Sequence, residues 1–71
     1  MSIILRTATG NLNALATVQG MRNAGATILS ITVDPRPGIS GDRYFTIWAE
    51  YQSPTTLENI DRAICEELKK L

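Results

Sequence analysis

The chain has 71 residues, seven Lys+Arg against seven Asp+Glu, no His and one cysteine. That length fits a single domain, residues 1–71, and the balanced charge excludes the basic footprint needed for duplex DNA or an anionic membrane. One Cys and no His leave neither an internal disulfide nor a structural zinc site, so self-association into at least a dimer is the expected support for so small a core.

Residues 2–8, SIILRTA, are rich in β-branched residues and predict the first strand. The short apolar run Ile3-Ile4-Leu5 has no basic stretch before it. No secretory signal or bilayer span is therefore expected, and the chain reads as cytoplasmic. Thr9-Gly10-Asn11-Leu12-Asn13 follows as a turn. A helix over 12–24 places Leu15, Val18, Met21 and Arg22 at helical spacing, with Gly25 as its left-handed stop. Gly20 is unfavourable inside a helix by about 1 kcal/mol, which predicts a close approach by the sheet or by a partner subunit.

Residues 26–33, ATILSITV, predict a second strand with Leu29, Ile31 and Val33 on one face and Ile28, Ser30 and Thr32 on the other. Residues 43–51, RYFTIWAEY, predict a third, with Phe45, Ile47 and Ala49 facing one way and Tyr44, Thr46, Trp48 and Glu50 the other. Between them DPRPGISGD, residues 34–42, is longer than a tight hairpin needs, and loops of that length are often functional. Ser53-Pro54-Thr55-Thr56 opens a second helix, with a Thr55/Glu58 capping-box spacing as one start. Leu57, Ile60, Ile64, Leu68 and Leu71 form its apolar stripe, and Glu58–Arg62 and Glu66–Lys70 are expected as pairs four residues apart on its wet side.

The order β-α-β-β-α predicts an α+β fold of the ferredoxin-like split β-α-β type. A right-handed crossover makes strands one and two parallel, the hairpin makes strand three antiparallel, and the sheet order becomes 2-3-1 with the fourth strand missing. Strand one is then a bare apolar edge, a second argument for a dimer.

In this arrangement the turn into the first helix with Leu15 and Val18, the segment NAGATILSITV, and RYFTIWAEY followed by the Leu57/Ile60/Ile64 helix resemble the ACT-like family of regulatory domains. The nearest pattern within it is that of the small regulatory subunits of acetolactate synthase. The resemblance implies a non-enzymatic regulatory module that binds an amino-acid effector across a dimer interface and acts on a partner enzyme. It implies ligand contacts at Thr9, Gly10, Asn11, Leu12 and Asn13, with Ala26 and Thr27 opposite at the start of strand two.

The residues themselves leave alternatives open. Backbone N–H groups at the start of the first helix suit a carboxylate or phosphate, yet Asn11 or Asn13 could instead cap the helix. Arg36 and Arg43, with Gly38 and Gly41, could close over an anion or clamp the phosphates of a nucleotide signal, or be solvated arginines on a surface loop. Asp34 and Asp42 bracket the same loop and are weak candidates for a cation. Ile4, Arg6, Ile28, Tyr44, Trp48 and their neighbours are expected on the sheet face away from the helices. A self-association face accounts for that apolar content better than RNA stacking does, because Glu50 would repel phosphate. A protein-binding adaptor or inhibitor using Trp48 and Tyr44 is the alternative function. With no His and with Cys65 lacking a base to activate it, neither catalysis nor a metal or other cofactor is expected.

Overall fold

The computed structural model describes residues 1–36 and 41–71. Its elements run β1 Ser2–Thr9, α1 Asn11–Asn23, β2 Thr27–Val33, β3 Tyr44–Tyr51 and α2 Leu57–Leu68. The three strands form one sheet in the order β1-β3-β2, with β3 antiparallel to both neighbours. This is the split β-α-β arrangement of the ferredoxin-like fold, and both helices lie on one face. No helix among the described residues is long and apolar enough to cross a membrane.

The core sits between sheet and helices. Ile4, Ile47 and Ala49 meet Met21, Ala26, Ile60 and Ile64 there, with Val18, Ala24, Ile28 and Tyr51 packed around them. Ile4 and Ile28 therefore lie under the helices, contrary to the outer-face placement expected from alternation. Strand pairing is the reason. Ile4 opposes Ala49 and Arg6 opposes Ile47, and opposed residues in an antiparallel pair share a face. On β2 a bulge at Leu29 inserts one residue between Ile28, opposite Ala49, and Ser30, opposite Trp48. Ile28, Ile31 and Val33 thus all face the helix side, while Ser30 and Thr32 face away.

α1 uses small residues for contact. Its buried positions are Ala14, Ala16, Thr17, Gly20 and Met21, whereas Leu15, expected on the inner face, is 65% exposed. α1 and α2 pack so closely that a Cβ on Gly20 would fall 2.5 Å from Ile64 Cα and 2.8 Å from the Ala63 carbonyl oxygen. The close neighbour is α2, neither the sheet nor a partner subunit.

α2 starts at Leu57 behind Thr56, whose hydroxyl accepts from the Asn59 N–H at 3.2 Å. Thr55 is not the cap. Its hydroxyl donates to the Ala24 carbonyl at 3.0 Å, tying the start of α2 to the end of α1. Of the predicted stripe only Ile60 and Ile64 are buried, while Leu57, Leu68 and Leu71 stay exposed. The charged pairs on α2 are three residues apart, Lys70–Glu67 at 3.2 Å and Lys69–Glu66 at 4.0 Å, in place of the expected pairs four apart.

Arg6 fastens α2 to β1. Its Nε and Nη2 donate to Asp61 Oδ1 and Oδ2, each at 2.9 Å, which is a two-pronged carboxylate contact. The hydrogen bond from Arg6 holds the Asp61 carboxyl below its ordinary value, and the same bond raises the Arg6 guanidinium. Both side chains are more than a third exposed, so solvent screens the pair. Asp61→Asn is expected to lower stability by only about 0.5–1 kcal/mol, read by urea unfolding at neutral pH. Because the folded-state pKa is depressed, this stabilisation is whole above the ordinary carboxylate range and fades as the pH falls through the lowered value. The variant should lose that part of the acid sensitivity; an unchanged acid limb would refute the assignment.

Candidate functional site

The turn from β1 to α1 has an unusual local construction. Gly10 occupies φ 89°, ψ 152°, a region open essentially to glycine alone, and serves as the N-cap without any side chain to offer. The first bond into the helix is Ala14 N–H to the Gly10 carbonyl at 3.0 Å. The N–H groups of Asn11, Leu12 and Asn13 consequently precede the intrahelical ladder, and no side chain among the described residues caps the helix. Neither asparagine is the cap. Asn11 is the first helical residue, and Asn13 Nδ2 donates backward to the Thr9 carbonyl at 2.8 Å, fixing the turn.

The turn is anchored to the sheet from the other side. Gly10 N–H donates to the Arg43 carbonyl at 2.9 Å, continuing the β1–β3 register past Thr9 opposite Tyr44. That bond brings Asp42 over the turn, with its Cγ 4.0 Å from where a Cβ on Gly10 would stand. The result is an open cleft of about 460 Å³ lined by Thr9, Gly10, Asn11, Leu12, Asn13, Asp42 and Leu71.

Chemically the cleft offers N–H donors with the positive end of a helix dipole, and a carboxylate beside them. A simple anion would be drawn to the donors and repelled by Asp42. A zwitterion satisfies both, its carboxylate at the N–H groups and its ammonium at Asp42. Leu12 and Leu71 supply an apolar side. In the sequence Asp42 is a candidate only as a cation ligand, and Leu71 only as part of the apolar stripe of the second helix. Both reach the turn through tertiary contacts that no spacing along the chain announces.

The other expected contacts are distributed differently. Thr9, Gly10, Asn11 and Asn13 come together as expected, and Arg43 adjoins them through its backbone. Thr27 does not. It opposes Glu50, six residues along β3 from Tyr44, at the far end of the sheet. At about 3.3 Å per residue that is about 20 Å away. Thr27 instead lines a cleft of about 480 Å³ between α1 and β2, with Val18, Arg22, Ala26, Ile28 and Ile31. Arg36 lies at the same end of the sheet as the turn but leans on Asp34: its N–H donates to Asp34 Oδ1 at 2.9 Å and its Nε is 4.0 Å from that oxygen. Both contacts fall on the same Asp34 oxygen. Gly38 lies outside the described residues.

The proposed interface set divides in two. Ile4, Arg6 and Ile28 belong to the helix-covered side, whereas Tyr44 and Trp48 are exposed on the open face as expected. Their apolar companions there come from β1: Leu5 opposes Trp48, and Ile3 opposes Glu50. Comparison with protein-family models, curated proteins and solved structures finds no match to this chain.

Proposed function

We propose that this chain is a non-enzymatic regulatory module of the cytoplasm that self-associates and binds a free amino acid in the β1–α1 cleft. The observation that supports the ligand most is the juxtaposition of uncapped helix N–H groups with the Asp42 carboxylate across Gly10. Such a pair favours a small molecule carrying both charges on neighbouring atoms. The resemblance to ACT-like domains supports the same ligand class, with a partner enzyme as the target of regulation. Among the arginines Arg43 is the better placed to join the site, since its carbonyl accepts from the Gly10 N–H and so adjoins the turn.

A thermal-shift series with the common amino acids tests this reading. At least one is expected to raise the melting temperature in proportion to its concentration. Asn11→Ala should then weaken that ligand by about 1–3 kcal/mol, read by calorimetric titration. Because Asn11 makes no cap bond, the same variant should melt at the parental temperature. No shift across the series, or binding indifferent to both Asn11→Ala and Asp42→Asn, would reject the site.

A second reading, an adaptor or inhibitor acting by protein contact alone, draws on the open face. Trp48 is 39% exposed there beside Leu5, and an aromatic anchor of this kind suits a protein interface. Capture of one host protein that is lost in Trp48→Ala, with no amino-acid shift, would favour it.

A further inference from the structure

We infer that two copies of this chain join through their β1 edges, antiparallel, with Leu5 facing Leu5 of the second copy on a two-fold axis. The inference rests on the self-association in the reading above and is independent of the ligand. Among the described residues β1 and β2 are the two edges of the sheet, and they differ. β2 carries the bulge at Leu29, a device that spoils an edge for further pairing. β1 pairs with β3 through eight successive residues without irregularity. It contains no Pro, and its inward charge, Arg6, is already matched by Asp61.

Backbone direction settles which groups the edge presents. Gly10 N–H points to the Arg43 carbonyl, so Gly10, Ala8, Arg6 and Ile4 turn their backbone polar groups toward β3. Ile3, Leu5 and Thr7 alternate with them and turn theirs outward. The Arg6 Nη1 contact to the Leu5 carbonyl, 2.9 Å and solvent-exposed, agrees with that direction and leaves the oxygen a second lone pair.

Charge and length then select the register. A two-fold that keeps both helix layers on the same side of the joined sheet must pass through a pair of identical residues. With Arg6 on the axis, two guanidinium groups of like charge oppose each other. With Ile4 on the axis, the paired stretch within β1 shrinks to residues 2–6. With Leu5 on the axis, residues 2–8 pair, Arg6 opposes Ile4, Ile3 opposes Thr7, and Ile3, Leu5 and Thr7 exchange both backbone bonds. The exposed row Ser30–Trp48–Leu5 on the open face then runs on into its copy. A net charge of zero adds no long-range repulsion between the two chains.

The test uses the whole chain with Cys65→Ser, so that introduced thiols are the only ones. Residues opposed as a hydrogen-bonded antiparallel pair have Cα atoms about 5.5 Å apart, within the span of a disulfide. Leu5→Cys is therefore expected to give a covalent dimer under mild oxidation. Ile3→Cys alone and Thr7→Cys alone should remain single chains on a denaturing gel, while an equal mixture of the two cross-links. Velocity sedimentation of the unmodified chain at micromolar concentration should show twice the monomer mass. If Leu5→Cys does not fold by circular dichroism, the Ile3→Cys and Thr7→Cys mixture decides alone. Monomeric sedimentation overturns the inference. So does a dimer in which Ile3→Cys alone cross-links as readily as the mixture; that second result leaves self-association standing and moves it to another surface. Amino-acid binding is read separately by thermal shift, so its absence bears only on the ligand.

Discussion

Gly20→Ala is expected to lower the unfolding free energy by about 2–4 kcal/mol, although Ala is intrinsically the better helix former by about 1 kcal/mol. The reason is where the added methyl would go. It would meet Ile64 Cα at 2.5 Å and Ile64 N at 2.6 Å, which are backbone atoms of α2 and cannot rotate aside. Only a shift of the whole helix relieves the overlap, and α2 is tied to α1 by the Thr55 hydroxyl on the Ala24 carbonyl and by the Asn23 amide on Glu67. In a domain of this size that loss is a large part of the whole stability. The measurement is a urea titration followed by circular dichroism, with Gln19→Ala as an exposed-helix control. Trimming the Ile64 side chain should give no rescue, since the obstructing atoms belong to its backbone. Rescue by Ile64→Ala, or a Gly20→Ala variant as stable as the parent, would contradict the packing described.

Gly10→Ala is expected to lower stability by about 1–3 kcal/mol, for a reason independent of crowding. Among the described residues only the Asp42 carboxyl carbon, at 4.0 Å, stands near the new methyl, an ordinary van der Waals contact. The obstacle is the backbone itself, held at φ 89° and ψ 152° between the Arg43 carbonyl and the first turn of α1. A D-alanine at the same position, accessible by chemical synthesis at this chain length, has the mirror-image preference and should restore most of the loss. Equal destabilisation by L- and D-alanine would show that the methyl, not the dihedral angle, is at fault.

The candidate site was legible in part for the same reason that Gly10 was. A glycine followed by Asn11-Leu12-Asn13 after an apolar strand marks a turn into a helix, and the structure has that turn there. What the turn faces was not legible. Asp42 arrives by pairing of β3 with β1, and Leu71 by the path of the chain beyond α2. Thr27, expected opposite the turn, lies at the other end of the sheet because β2 begins beside Glu50 rather than beside Tyr44.

The sequence by itself determined the β-α-β-β-α order, the sheet order, the stop at Gly25, the alternation along β3 and the Ile60/Ile64 contact of α2. Each follows from a local period, a turn residue or the handedness of a connection, and such signals survive in a single chain. Tertiary structure alone decided the rest. Alternation says which residues of a strand share a face but not which face is covered, so Ile4 and Arg6 were assignable only once Ala49 and Ile47 were opposite them. The Leu29 bulge reset β2 by one residue and turned Ile28 inward. Beside Met21 and Val18, which the helical spacing does mark, α1 packs through Ala14, Ala16, Thr17 and Gly20, residues too small to add to an apolar period, while its leucines at 12 and 15 face out. Small side chains are used where two backbones approach closely, and that distance is a property of the packed pair, not of either helix.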